Sequence, residues 1–281
     1  MSILAVLTRT TNTRYMRHVL DLMKDVTVVT PYEYLTTPQD EYDAIIYNTF
    51  PDEHNAAKFQ AYISHKADAK FAAFKGRRLL FDTHDNGTRD GFERFHDSST
   101  PRIKVNPGVK LMKRMNIIAS MPYIVYRPFM HPQEPRTVPL LCSMRTDGLP
   151  DIRKQIADKV RPFNPADEWI PMVEHARKLC RTRIHVVSPG WGDSNLSHTE
   201  TLAAGALLFA HEDILKVSIL PFASLGDGAN FVSFNLDNLV PRLTELLAHP
   251  EKADKVRLAG LRTFRSGYDY ARSAEQIKGY L

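Results

Sequence analysis

Apolar runs of strand length alternate with amphipathic stretches along most of this chain. Ile3 to Leu7, Val26 to Val29, Tyr42 to Tyr47 (YDAIIY) and Arg78 to Phe81 read as strands. Two stretches between them carry apolar residues at helical spacing. In Arg14 to Lys24 these are Tyr15, Val19, Leu22 and Met23, and in Ala56 to Phe74 they are Phe59, Tyr62, Ile63, Ala67 and Phe71. Strands that alternate with helices predict parallel βαβ units in a doubly wound sheet. Pro101 to Pro107 adds a short strand (RIKVNP), Val109 to Met115 a short basic helix or turn, and Tyr123 to Tyr126 the last strand of this half.

The stretch from Tyr126 to Pro139, YRPFMHPQEPRTVP, is rich in proline and poor in periodicity, and reads as a stiff interdomain linker. Beyond it the alternation resumes. Val138 to Cys142, Ile184 to Val187, Ala206 to Ala210 and Asn230 to Phe234 are strand candidates. Val173 to Leu179, Leu236 to Ala248, Pro250 to Ser266 and Tyr268 to Tyr280 are helix candidates. The expected fold class is α/β, with two Rossmann-like doubly wound domains facing a cleft. The expected domains are residues 1–130 and 138–266, with a terminal helix at 267–281 packing back on the first.

Composition narrows the picture modestly. The 281 residues are 43% hydrophobic and 25% charged, as in an ordinary globular chain. No apolar run approaches the ~20 residues of a membrane span. The opening MSILAVLTRTTN has neither a basic lead-in nor a cleavage site, so it reads as a first strand and not a signal peptide. Cys142 and Cys180 form no metal-binding pattern and imply no disulfide, and the expected setting is cytoplasmic. A net charge of +5 favours a polyanionic partner, nucleic acid or a membrane surface.

The candidate chemistry gathers around Ser188 to Glu212, SPGWGDSNLSHTETLAAGALLFAHE. Pro189, Gly190 and Gly192 break the preceding strand, and Ser194, Asn195 and Ser197 are all possible N-caps. The helix then carries His198, Thr199 and Glu200 and stops at Gly205. A helix N-terminus favours anions, and a carboxylate in its first turn can accept hydrogen bonds from a ribose diol. A nucleotide-sugar donor needs both. Arg145 and Arg153, after the strand at 138–142, suit a diphosphate gripped in bidentate fashion; the other reading pairs them with Asp147 and Asp151 at the surface. DTHDNGTRDGFERF, Asp82 to Phe95, places four carboxylates at a strand C-terminus, where active sites of open α/β sheets sit.

The 188–212 stretch resembles the donor site of glycosyltransferases of the B fold. Several further fragments, in order, resemble the β-glucosyltransferases with which phages decorate hydroxymethylated DNA bases: YDAIIYNT, RRLLFDTHD, RIKVNPG, the arginines after Ser143, WIPM and HTETLAAGALLFAHED. The resemblance implies that Glu200 binds the ribose hydroxyls, that Arg145 and Arg153 neutralise the pyrophosphate, and that Ile170 reads a uracil ring through its backbone. It implies Asp82 or Asp85 as general base, with His84 between them competing. An arginine expected just before the ribose-binding glutamate is replaced here by the Ser197–His198 region, where His198 could donate to a phosphate.

The activity so implied is metal-independent transfer of a sugar from a UDP-sugar to the hydroxyl of a hydroxymethylated base, with inversion. Catalytic candidates are Asp82, His84 and Asp85. Donor-binding candidates are Arg145, Arg153, Ile170, Gly190, Gly192, His198, Thr199 and Glu200. Arg89, Arg94, Lys104, Lys110, Lys113 and Arg114 would track DNA phosphates or form a solvated basic face. No cofactor beyond the nucleotide-sugar donor is expected. Two alternatives stay open: a transferase acting on a cell-surface glycan or lipid-linked sugar, and a non-catalytic nucleotide- or DNA-binding protein.

Overall fold

In a computed structural model of the chain, the structure describes residues 1–8, 13–48, 58–83, 100–105, 107, 116–122, 124–144, 151–164, 170–189 and 195–281, with only the backbone of 58–64. The chain divides into two units. One comprises Met1–Tyr123 with Asp269–Leu281, and the other Ile124–Tyr268.

The first unit is built on a parallel sheet of β1 (Ile3–Val6), β2 (Val26–Val29), β3 (Ala44–Asn48), β4 (Arg77–Asp82), β5 (Arg102–Val105) and β6 (Ile117–Met121). Their order is β2-β1-β3-β4-β5-β6, and every pairing is parallel. β1 and β3 are buried at every position, as strands covered on both faces must be, whereas β2 at the edge is not. Helices α1 (Arg14–Asp21), α2 (Pro31–Tyr34) and α3 (Lys58–Ala73) lie between the early strands. The strand order reverses at β1 and β3, and their C-terminal ends meet there. Thr8 donates from its backbone N–H and its hydroxyl to Asn48 Oδ1, and Asn48 Nδ2 donates to the Phe81 carbonyl and Thr83 Oγ1. One amide side chain thus ties three strand ends at the switch point, where open sheets place ligands.

The second unit holds β7 (Val138–Leu141), β8 (Thr182–Val187), β9 (Leu207–His211) and β10 (Val232–Phe234), again all parallel, in the order β10-β9-β8-β7. Its helices are α4 (Asp151–Val160), α5 (Met172–Cys180), α6 (Leu196–Ala204), α7 (Leu239–Ala248) and α8 (Pro250–Gly267). The period of two along its strands makes two cores. Leu141, Val187, Leu208 and Ala210 face one side with Leu179 of α5, Leu202 of α6 and Phe264 of α8. Leu140, Ile184, Val186 and Phe209 face the other with Ile156 of α4 and Leu243 of α7.

The final helix, α9 (Tyr270–Tyr280), belongs to the first unit. Tyr15 of α1 packs against Tyr270, the rings tilted with centroids 4.7 Å apart, and shares a 3.1 Å hydrogen bond with Ser273, and Gln276 donates to the Ile118 carbonyl of β6.

Three expectations are corrected. The last strand of the first sheet is Ile117–Met121, not Tyr123 to Tyr126. Its polar Ser120 interrupts the apolar signal, while Val125 and Tyr126 contribute side chains to a core of the second unit instead. The proline-rich stretch is no free linker. Val125 and Phe129 are buried in that core, and Arg136 donates to the carbonyls of Pro132, Cys180, Thr182 and Ala204. Proline removes helical periodicity without removing burial. Finally, α6 begins at Leu196 because Asn195 is its N-cap, so Glu200 falls in the second turn and no acidic residue occupies the first.

Candidate functional site

The C-terminal end of β8 and the start of α6 form a pinned cradle. Asn195 Oδ1 accepts from the Ser197 N–H, and the His198 ring nitrogen Nδ1 accepts from the Asn195 N–H, which closes a capping box with histidine in the place usually taken by Glu or Gln. Asn195 Nδ2 donates to the Ser188 carbonyl at 2.8 Å, and Arg153 Nε of α4 donates to the Pro189 carbonyl at 2.7 Å. The strand exit is therefore held from the helix cap on one side and from a guanidinium on the other. Gly205, with φ of +70°, ends α6 as its composition predicts.

The electrostatics follow from burial. His198 is fully buried and near the Arg153 charge, and both effects drive its pKa down to about 4. It is neutral at physiological pH. Because Nδ1 accepts, the proton sits on Nε2, which is left as a donor. Glu200 is 8% exposed, and burial raises its carboxyl to about 7. It has no hydrogen-bond or ion-pair partner among the described residues. An unsatisfied buried carboxyl is costly, and such groups cluster where a ligand completes them. Thr199 is a weaker candidate, since its hydroxyl is spent on the Leu196 carbonyl at 3.0 Å.

A polar thread supports this helix from inside the unit. Thr201 Oγ1 donates to the Ser197 carbonyl, which can only accept. It must therefore accept from His185 Nδ1 of β8, 2.6 Å away. The His185 ring meets that of His175 on α5 at 6.0 Å between centroids, and His175 Nδ1 lies 3.4 Å from Ser143 Oγ at the end of β7. Burial holds the His185 pKa well below its usual range, so it acts as a fixed neutral strut. His185, Thr201 and Ser188, whose buried Oγ has no partner among the described residues, escape a reading of the sequence alone. A histidine inside an apolar strand was the available signal.

In the first unit Asp82 closes β4, directly opposite Lys104 of β5 in the strand register. Lys104 Nζ donates to Asp82 Oδ2 at 2.9 Å, and both side chains are 1% exposed. This corrects the place given to Lys104 among DNA-tracking residues: its ammonium is buried on a carboxylate. Asp82 is equally enclosed, which weighs against it as the base. Ile170 is half-buried just ahead of Pro171, the N-cap of α5. His84, Asp85, Arg89, Arg94, Lys110, Lys113, Arg114, Arg145, Gly190 and Gly192 lie outside the described residues. Among the described residues no group of three or more His, Cys, Asp or Glu side chains could hold a metal ion, and no helix is long and apolar enough to cross a membrane.

Comparisons with known proteins match this arrangement of two parallel-sheet α/β units. Residues 142–279, nearly half of the chain, match the family described as glycosyl transferase-like. No curated protein matches the sequence. Solved structures match along its whole length. A glycosyltransferase from Rickettsia africae ESF-5 is 10% identical with a TM-score of 0.61, covering 99% of this chain and 97% of that one. An α-glucosyltransferase solved with UDP-glucose and DNA containing an abasic site is 11% identical with a TM-score of 0.58, covering 99% and 98%. WaaG, a glycosyltransferase involved in lipopolysaccharide biosynthesis, is 7% identical with a TM-score of 0.57, covering 99% and 100%. The chain thus has the fold of these glycosyltransferases, and its residues 142–279 match the glycosyl transferase-like family.

Proposed function

We propose that the chain moves a sugar from a UDP-sugar to the hydroxyl of a hydroxymethylated base in DNA. The observation that carries the donor half is Glu200: a buried carboxyl without a partner among the described residues, one turn beyond the capped start of α6, the helix whose His198 feels the Arg153 charge. A ribose diol supplies the two donors that this group lacks. Arg153, with Arg145, meets the diphosphate, and His198 Nε2–H adds a neutral hydrogen bond. These donors stabilise negative charge as the diphosphate departs. Gly190 and Gly192 let the backbone approach it.

On the acceptor side, a carboxylate or histidine of the acidic loop takes the proton of the acceptor hydroxyl as it attacks the anomeric carbon, and direct displacement inverts that carbon. With Asp82 committed to Lys104, Asp85 and His84 are the favoured bases, and Asp82 anchors the loop root. DNA as acceptor is supported by the ordered fragments shared with phage DNA glucosyltransferases and by the fold likeness to a DNA-bound α-glucosyltransferase. Arg89, Arg94, Lys110, Lys113 and Arg114 are the residues proposed to follow its phosphates, with the target base flipped from the stack. The likeness to a lipopolysaccharide enzyme supports a glycan acceptor as the second reading.

Incubation with a panel of nucleotide sugars and hydroxymethylated DNA, followed by digestion to nucleosides and mass measurement, tests the reading. A hexose- or pentose-sized gain on the modified nucleoside supports it, and the anomeric configuration of that product decides inversion. Transfer to lipid-linked glycan with none to DNA moves the acceptor to the second reading. UDP-sugar binding without transfer to either acceptor leaves a non-catalytic protein.

A further inference from the structure

The second unit also carries a cavity of about 350 Å³ lined by Pro128, His131, Glu134, Arg177, Cys180 and Arg181. It lies at the opposite end of the sheet from the cradle. Arg181 immediately precedes β8, and the Val138 N–H that starts β7 donates to the Arg181 carbonyl. The cradle begins only after Val187, at the far end of the strand. Six strand residues at about 3.3 Å each put the two places roughly 20 Å apart.

The cavity is held in shape by the fold. The Cys180 thiol points at the carbonyls of Pro128 and Phe129, at 3.5 and 3.6 Å. Phe129 is buried in the core, and Arg136 bonds the carbonyls of Pro132 and Cys180. The backbone wall is thus fixed, while the side chains of His131, Glu134, Arg177 and Arg181 that line the hollow are exposed.

The charges are unbalanced. Glu134 acts on the half-buried Arg136, whose charge it helps to hold. Arg177 and Arg181 stand one helical turn apart and make no ion pair among the described residues. Like charges at this spacing repel. Helix dipole attraction accounts for cations at the end of α5. It does not account for two of them lining a preformed hollow with a histidine and a carboxylate.

We propose that this cavity is a second anion site, taking a small hydroxylated phosphate monoester such as a sugar phosphate. Arg177 and Arg181 grip the phosphate oxygens with their planar donors, His131 adds a further donor, and Glu134 accepts from a hydroxyl. A cavity of this size is at the small end of ligand pockets, which suits one ring and one phosphate.

Calorimetric titration with glucose 6-phosphate and with inorganic phosphate, at constant ionic strength, tests this. Saturable binding is expected in the wild type, unchanged in Arg153→Ala, and weakened at least tenfold in Arg177→Ala/Arg181→Ala. Glu134→Gln should bring glucose 6-phosphate down to the affinity of inorganic phosphate. Arg177→Lys/Arg181→Lys, which keeps both charges and serves if the alanine variant fails to fold, should lose a smaller factor. Absence of saturable binding overturns the proposal. So does equal affinity in the wild type and both arginine variants, or loss of binding in Arg153→Ala alone, which would place the anion in the donor cradle.

Discussion

Two buried carboxyls, one in each unit, sit near the C-terminal ends of parallel strands and are treated in opposite ways. Asp82 faces Lys104 across the strand register and is satisfied by the protein itself. Glu200 has no partner among the described residues, and burial lifts its pKa to about 7. The first group is part of the scaffold, and its ion pair fixes the end of β4 from which the acidic loop departs. The second meets no counter-group among the described residues. Residue type and position after a strand therefore do not separate a structural acid from a binding acid. What separates them is whether the fold has already supplied the counter-group.

The largest effect that can break this comparison is expected at the paired acid. Lys104→Met strands the Asp82 charge in the interior and should cost about 3–5 kcal/mol, read as a lower urea midpoint. Adding Asp82→Leu should recover most of that loss. A Lys104→Met variant as stable as wild type would show that the pair does not hold the sheet.

Next in size is the pH dependence set by Glu200. Its folded pKa stands near 7 and its unfolded value near 4.5. Across that window the folded state keeps a proton that the unfolded state gives up. The contribution is full below about 4.5 and is lost as pH rises through about 7, a decline of roughly 3 kcal/mol. His198, lowered to about 4, works in the opposite sense, adding stability as pH rises from 4 towards 6.5. Subtracting the urea-derived stability of Glu200→Gln from that of wild type at each pH isolates the Glu200 term. A flat difference would mean that this carboxyl is solvated or already paired.

Glu200→Gln should also weaken UDP binding by about 10–100-fold, the loss of hydrogen bonds to a charged acceptor, while stability at neutral pH stays the same or rises. Because ribose hydroxyls favour the ionised carboxylate, UDP binding should release a proton near pH 7, detectable by calorimetry in buffers of different ionisation enthalpy. No proton release in the wild type would remove Glu200 from the donor site.

The smallest effect sharpens the role of the thread beneath α6. Thr201→Val leaves His185 Nδ1–H without its acceptor and should cost about 1–2 kcal/mol of stability, with a few-fold weaker UDP binding. Unchanged binding together with lowered stability would make the thread a packing element alone.

Much of the fold was readable beforehand because β1, β3 and β9 are unbroken or nearly unbroken apolar runs, and β9 is enclosed at every position. Gly205 as the end of α6 was also readable, since capping is local chemistry, and its N-cap Asn195 was one of three candidates. β6 was not, because Ser120 breaks its pattern, and neither was the docking of 124–136, because proline erases periodicity while leaving Phe129 free to be buried. Arg153, His198 and Glu200 could be named as candidates in advance, but not their states. Glu200 was placed one turn too early, and Lys104 was assigned to the surface.

The division follows from the range of the interactions involved. Strand burial, helix caps and the family resemblance are carried by neighbours within a few residues, so the linear order of side chains determines them. The Asp82–Lys104 pair spans 22 positions, the His185–Thr201 bond 16, and the Arg153–Pro189 contact 36. Each exists only because parallel strands and their crossover helices bring distant segments into register. Whether a buried charge finds a partner is decided at that level, because the partner lies far away along the chain.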